Sequence, residues 1–289
     1  MSLFRIAATA ALALGLAFAG AQTAAAQAAL KHATTDGDYV AKDFRFASGE
    51  TLPELKVHYT TLGEPKRDAQ GRVTNAVMVL HGTGGSGQQF LRPQFADVLF
   101  KPGGLRLLMG TSMGCMHGFV WGETHPGFAK ALMPLACQPV AIAGRNRLWR
   151  RMLMDAITTD PVWQGGNYTA QPMQGLRTAQ GLLMIAGSAP LPMQNAYPTR
   201  EAADKYVADT LPQAAAALDA NDLLYQVDAS RDYDPSKDLE KIQVPVMWIN
   251  SADDMINPPE LGIAEREVKR LRQGTFVLLP ATAETRGHG

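Results

Sequence analysis

The stretch Leu107-Leu108-Met109-Gly110-Thr111-Ser112-Met113-Gly114 constrains the fold most, because an apolar strand runs straight into a Gly-x-Ser-x-Gly turn with a helix-forming segment behind it. Two glycines at that spacing let the backbone turn sharply enough to hold a serine out of the sheet, which makes Ser112 a candidate nucleophile. Gly and Ser are common, and the pattern alone recurs in ordinary loops. Its value comes from the strand before it, the helix after it and three further segments in a fixed chain order.

His81-Gly82-Thr83-Gly84-Gly85 follows the apolar run Ala76-Val77-Met78-Val79-Leu80, and a glycine-rich turn there can aim backbone N–H groups at a developing oxyanion. Thr83 and Met113, the residue after the serine, are the expected donors. Ser251-Ala252-Asp253-Asp254 follows the strand-like Val246-Met247-Trp248-Ile249, placing an acid where it can orient an imidazole. Asp254 is preferred to Asp253 for its spacing to Pro258. Arg286-Gly287-His288-Gly289 follows Thr275-Phe276-Val277-Leu278-Leu279 and supplies His288 as the base. Serine, then aspartate, then histidine is the chain order of the α/β-hydrolases.

The apolar runs 78–80, 106–109, 131–135, 246–249 and 275–279 read as strands buried on both faces, and the helical stretches between them predict a mostly parallel, doubly wound α/β sheet. Asp43-Phe44-Arg45-Phe46 and 55–63 alternate at strand period and predict an antiparallel edge hairpin ahead of it. Residues 139–235 carry no strand of convincing length and read as an inserted helical cap, including a helix over 201–218. The expected organisation is a secretory leader over 1–28, core over 29–138, cap over 139–235 and core again over 236–289.

The run from Gly110 to His117, the segment Trp121-Gly122-Glu123-Thr124-His125-Pro126, Asp232-Tyr233-Asp234-Pro235 and the closing Glu284-Thr285-Arg286-Gly287-His288-Gly289 resemble the α/β-hydrolases related to homoserine O-acetyltransferases. That resemblance implies the α/β-hydrolase fold and acyl transfer through a serine ester. Two departures stand out. Only some thirty residues separate Gly82 from Ser112, with one helix expected over 88–100, so a strand and helix pair of the family pattern is missing. The sequence also ends at Gly289, where family members continue into a final helix, and a histidine so placed is exposed to fraying.

Lys and Arg number 27, as do Asp and Glu, so neither nucleic acid nor an anionic membrane is indicated as a partner. Arg5, the apolar run 6–19 and Ala26-Gln27-Ala28 read as a cleaved leader, and a periplasmic or secreted protein is expected. Cys115 and Cys137 read as buried thiols in preference to a disulfide. Gly82-x-Gly84-x-x-Gly87 matches a dinucleotide fingerprint, but Asp97 falls inside a predicted helix and leaves it without its acid, so no cofactor is expected. His117 and His125 lack the spacing of metal ligands on one helical turn, and no metal is expected. The run Arg145, Arg147, Arg150 and Arg151 reads as a solvated helix face, with a substrate carboxylate as its other use. A small-molecule ester or acyl compound is the expected partner, and a homodimer is left open. A secreted chain would lack acetyl-CoA, which favours water as acyl acceptor. An acyltransferase and an inactive remnant that only binds are the alternatives.

Overall fold

A computed structural model describes residues 33–46, 49–91 and 107–289. The leader, most of the helix expected over 88–100, the segment 101–104 and Asp97 lie outside them; the start of that expected helix falls in a short 3-10 turn, Gly87–Leu91. The chain divides into two compact units. The first holds the antiparallel hairpin β1 (Thr34–Arg45) and β2 (Thr51–Leu62), paired from Thr34↔Leu62 to Arg45↔Thr51. It is a two-stranded sheet of its own and not an edge of the parallel one. Lys56 and His58 on β2 both reach Asp38 across the ladder, and their hydrogen bonds hold its carboxyl below the usual range.

The second unit is built on five parallel strands, β3 (Val77–Leu80), β4 (Leu107–Thr111), β5 (Ala131–Leu135), β6 (Val246–Ser251) and β7 (Gly274–Leu279). They lie side by side in chain order. β3 pairs directly with β4 from Val77↔Leu107 to Leu80↔Gly110, so the short connection between Gly82 and Ser112 leaves no gap in the ladder. The strand and helix pair missing from the family pattern therefore leaves the pairing of β3 with β4 intact, and residues 92–106 of that connection lie outside the described ones. The serine strand already has both its neighbours, and β3 is the outer strand among the described residues.

Helix α1 (Met113–Thr124) buries Cys115, Met116 and Phe119 against the sheet. Phe119 meets the fully buried Trp248 of β6 edge to face at 5.5 Å, and Trp248 meets Phe276 of β7 at 5.1 Å. Burying side chains of this size stabilises the core by about 1.5–3 kcal/mol each. Cys115 and Cys137 form a disulfide, with Cα atoms 5.9 Å apart, which corrects the expectation of free thiols. β4 and β5 are adjacent, and the start of α1 after one and the loop after the other bring the two sulfurs together. The carbonyl of Cys137 also accepts from Trp248 Nε1 at 3.0 Å and Asn250 Nδ2 at 3.1 Å. One link therefore joins the serine helix to the strand that leads to Asp254.

Between β5 and β6 the chain is helical: α2 (Gly144–Thr158), α3 (Met173–Ala186), α4 (Pro190–Ala196), α5 (Arg200–Ala216) and α6 (Ala220–Asp228). Leu153, Ile157, Leu176, Ala179 and Val227 form a second buried cluster that Ile256, just beyond β6, joins. Asp160 accepts from the N–H of Val162 and of Gly175, fixing the turn that leads from α2 to α3. A short helix, α7 (Ile263–Glu267), precedes β7. None of the helices among the described residues is long and apolar enough to cross a membrane.

The disulfide closes a loop of 22 residues in sequence. Replacing Cys115 and Cys137 together by alanine is expected to lower unfolding free energy by about 3 kcal/mol, read by urea titration.

Candidate active site

Ser112 occupies the turn between β4 and α1 with φ 53° and ψ −117°, backbone that side-chain-bearing residues adopt only under strain of about 1–3 kcal/mol. The flanking glycines make this turn possible. A Cβ on Gly110 would overlap the Gly114 carbonyl, and one on Gly114 would overlap the Leu80 carbonyl. The N–H of Ser112 donates to Leu135 O at 2.9 Å, tying the elbow to β5.

His288 reaches the serine, its Nε2 lying 2.7 Å from Ser112 Oγ. Its Nδ1 lies 3.0 Å from Asp254 Oδ2. Asp254 is 1% exposed, and its Oδ1 accepts from the N–H of Ile256 at 2.8 Å and of Asn257 at 3.0 Å. Burial pushes its carboxyl up, but the hydrogen bond and charge of His288, with the Nδ2 and backbone N–H of Asn257, outweigh this and hold it below its ordinary value. An ionised carboxylate can only accept, so Nδ1 of His288 carries the proton and Nε2 is left to accept from the serine hydroxyl. The 176 positions between Ser112 and His288 and the 34 between Asp254 and His288 are thus closed into one hydrogen-bonded chain.

Asp253, the alternative acid in the same loop, takes different partners. It accepts from Ser251 Oγ and, at 2.6 Å, from Thr285 Oγ1. That second bond anchors the segment carrying the histidine. Gly287, at φ 65°, packs so closely on the Ser188 carbonyl that a Cβ there would stand 2.8 Å away, and Gly289 N donates to Arg286 O at 3.1 Å. The histidine loop is therefore pinned by Asp253 and by the turn after α3, and His288 is 12% exposed in its side chain.

Gly82 and Thr83 lie against the serine. A Cβ at Gly82 would be 2.9 Å from Ser112 Cβ, and Thr83 Oγ1 is 3.8 Å from Met113 Sδ. Met113 opens α1, so its N–H has no acceptor within the helix. The two residues expected as donors thus flank Ser112 on separate segments.

Asn257 is a supporting residue that the sequence did not single out. Its Nδ2 donates to Asp254 Oδ2 at 2.9 Å and to Ala136 O at 3.0 Å, joining the acid loop to the end of β5. The Asp254-x-x-Asn257 spacing, with an acid capping its own turn, was the available signal. His125 stacks on Trp121 at 4.6 Å, and His117 is exposed on α1. A cavity of about 910 Å³ opens on Ser112 and His288, lined mainly by apolar groups such as Ile142, Ile185 and Leu261. Tyr233 also lines it. Its hydroxyl has no partner among the described residues, and burial raises its titration well above the usual value, aided by the charges of Glu123 and Asp234.

No family model matches the chain. Among solved structures, a homoserine O-acetyltransferase from Bacillus anthracis superposes with a TM-score of 0.71 at 16% identity, covering 88% of this chain and 92% of that one. An acetylester hydrolase from Corynebacterium glutamicum gives 0.71 at 15% identity, over 88% and 89% of the two chains. This chain has the α/β-hydrolase fold. A probable acyltransferase of Methanothermobacter thermautotrophicus is 24% identical over 272 residues, 76% of this chain and 83% of that protein. A homoserine O-acetyltransferase of Nostoc punctiforme is 38% identical over 86 residues, which are 28% of this chain and 23% of that protein. This α/β-hydrolase-fold chain is therefore related in sequence to homoserine O-acetyltransferases, with the match to the Nostoc protein spanning under a quarter of its length.

Because folding depresses the Asp254 carboxyl below 3.8, the stability it contributes is present above that pH and is lost as pH falls through the lower folded value. Asp254→Ala also strands the N–H groups of Ile256 and Asn257, and is expected to cost about 3 kcal/mol near neutral pH. Urea titrations from about pH 7 down to about pH 3 should show that cost shrinking below about pH 4. A constant difference would contradict the ionised assignment.

Proposed function

We propose that this chain is a secreted serine hydrolase that cleaves a carboxylic ester through Ser112, His288 and Asp254. The observation that carries the reading is His288, hydrogen-bonded at 2.7 Å to Ser112 Oγ and at 3.0 Å to Asp254. Ser112 Oγ attacks the ester carbonyl and gives its proton to His288 Nε2, while Asp254 stabilises the imidazolium. The carbonyl oxygen becomes an oxyanion beside the N–H groups of Met113 and Thr83, each donor contributing about 3 kcal/mol to the transition state. Collapse expels the alcohol, which takes the proton from His288 and leaves an acyl-serine. Water, deprotonated by the same histidine, then releases the carboxylic acid and restores the serine.

Secretion is supported by the leader pattern over 1–28 and by the Cys115–Cys137 disulfide, a bond that persists in oxidising compartments. In such a compartment water is the acceptor at hand. The remnant reading is disfavoured by the assembled Ser112, His288 and Asp254 geometry. The acyltransferase reading has its own support in the name of the relative that aligns over 83% of its length. The same three residues would serve it, with a hydroxyl compound replacing water at the second step.

Release of 4-nitrophenol from 4-nitrophenyl acetate, measured beside acetyl transfer from acetyl-CoA to homoserine, separates the readings. Hydrolysis is expected to dominate, and Ser112→Ala to lower it by about 10³-fold or more. Faster transfer to homoserine would move the assignment to the acyltransferase. Hydrolysis indifferent to Ser112→Ala would overturn both.

A further inference from the structure

The wall of the cavity that holds Ser112 also holds Arg150, on α2, only 6% exposed. A guanidinium so deep is costly unless an anion neutralises it. The partners of Arg150 are neutral: Nε donates to Asn146 Oδ1 at 2.9 Å, and Nη1 to Ser230 Oγ at 3.0 Å and Val227 O at 3.3 Å. The ring of Trp149, 4.9 Å from Cζ, takes up part of the charge. Burial, with Arg147 nearby, lowers its pKa to about 10. Val227 lies in the last turn of α6, so part of this arrangement is a helix cap, but that cap occupies Nη1 and not Nη2.

The acids lining the same cavity are committed elsewhere. Asp254 holds His288, and Asp253 holds Ser251 and Thr285. Glu260 is exposed and forms no ion pair with an arginine among the described residues. Arg145, the other cavity cation, is exposed and donates to Met255 O at 2.7 Å. Among the described residues the cavity therefore contains a buried cation with Nη2 donors to spare, in a mostly apolar wall and in the same space as the nucleophile. A singly charged planar anion suits that edge, because a guanidinium matches carboxylate geometry.

We propose that Arg150 binds a free carboxylate of the substrate, so that the ester cleaved at Ser112 carries an anionic group, as in the half-esters of dicarboxylic acids. This deepens the hydrolase reading and rests on it for the word substrate, while the anion site itself is testable without turnover. The probe set is the monomethyl esters of succinate, glutarate and adipate, each beside its dimethyl ester. Binding is measured by calorimetry to the Ser112→Ala protein, which cannot consume them by the proposed route. At least one half-ester is expected to bind about tenfold or more tighter than its diester. In the same background Arg150→Gln should abolish that preference, and Arg150→Lys should keep part of it.

Equal binding of half-ester and diester throughout the series overturns the proposal with Arg150 intact, whether or not Arg150→Gln folds. A preference that survives Arg150→Gln overturns it too, and points to Arg145. With Ser112 restored, the ratio of kcat/KM for half-ester over diester should fall by the same factor on Arg150→Gln, whereas an equal loss on both substrates would mark a structural role. Tight half-ester binding without turnover would leave the anion site standing and remove the hydrolase reading. Turnover of neutral esters without preference would do the reverse.

Discussion

The hydrogen bond between Asp254 and His288 Nδ1 is the interaction on which the proposed chemistry depends, because it decides which imidazole nitrogen is free. An ionised acid at Nδ1 leaves Nε2 as the acceptor, and Nε2 is the nitrogen 2.7 Å from the serine. Burial alone would push the Asp254 proton back on. His288 opposes that first, and Asn257 opposes it through its side chain and its N–H, which belong to the turn that the carboxylate itself caps. The acid loop is thus folded around the charge it has to keep.

The scaffold delivers three distant residues to one point by fixing each at the end of a different strand. β4 presents Ser112 in strained backbone, and the strain is held by glycines too close to neighbouring carbonyls to be anything else. β6 leads to Asp254, and β7 to the segment that returns His288. Cys137 links these parts: its sulfur is bonded to the serine helix and its carbonyl to Trp248 and Asn250 of β6. Asp253 then fastens Thr285, so adjacent acids divide the work of charge and of position.

What was legible in the sequence is what local pattern dictates. The apolar runs became β3 to β7 within a residue or two, and the glycine spacing around Ser112 announced the strained elbow. Asp254 was separable from Asp253 by its spacing to Pro258 alone. The remainder depends on where strands place side chains relative to one another. Two cysteines 22 residues apart read as thiols until β4 and β5 lie side by side. Thr285 and Asn257 are ordinary polar residues until their partners, remote in sequence or in the same turn, are in place. Arg150 belonged to a basic run that reads as a solvated face, because only packing against α6 and Ser230 shows that this one cation is buried.

The most direct test of the account is covalent capture of the serine. The purified protein treated with a fluorophosphonate, with the adduct located by mass spectrometry, should carry one label on Ser112. Ser112→Ala should carry none, and Asp254→Asn, with the imidazole in the wrong tautomer, should label more slowly by about 10³-fold or more. A folded protein that stays unlabelled, or one labelled at another serine, would contradict the claim that Ser112, His288 and Asp254 act as a unit.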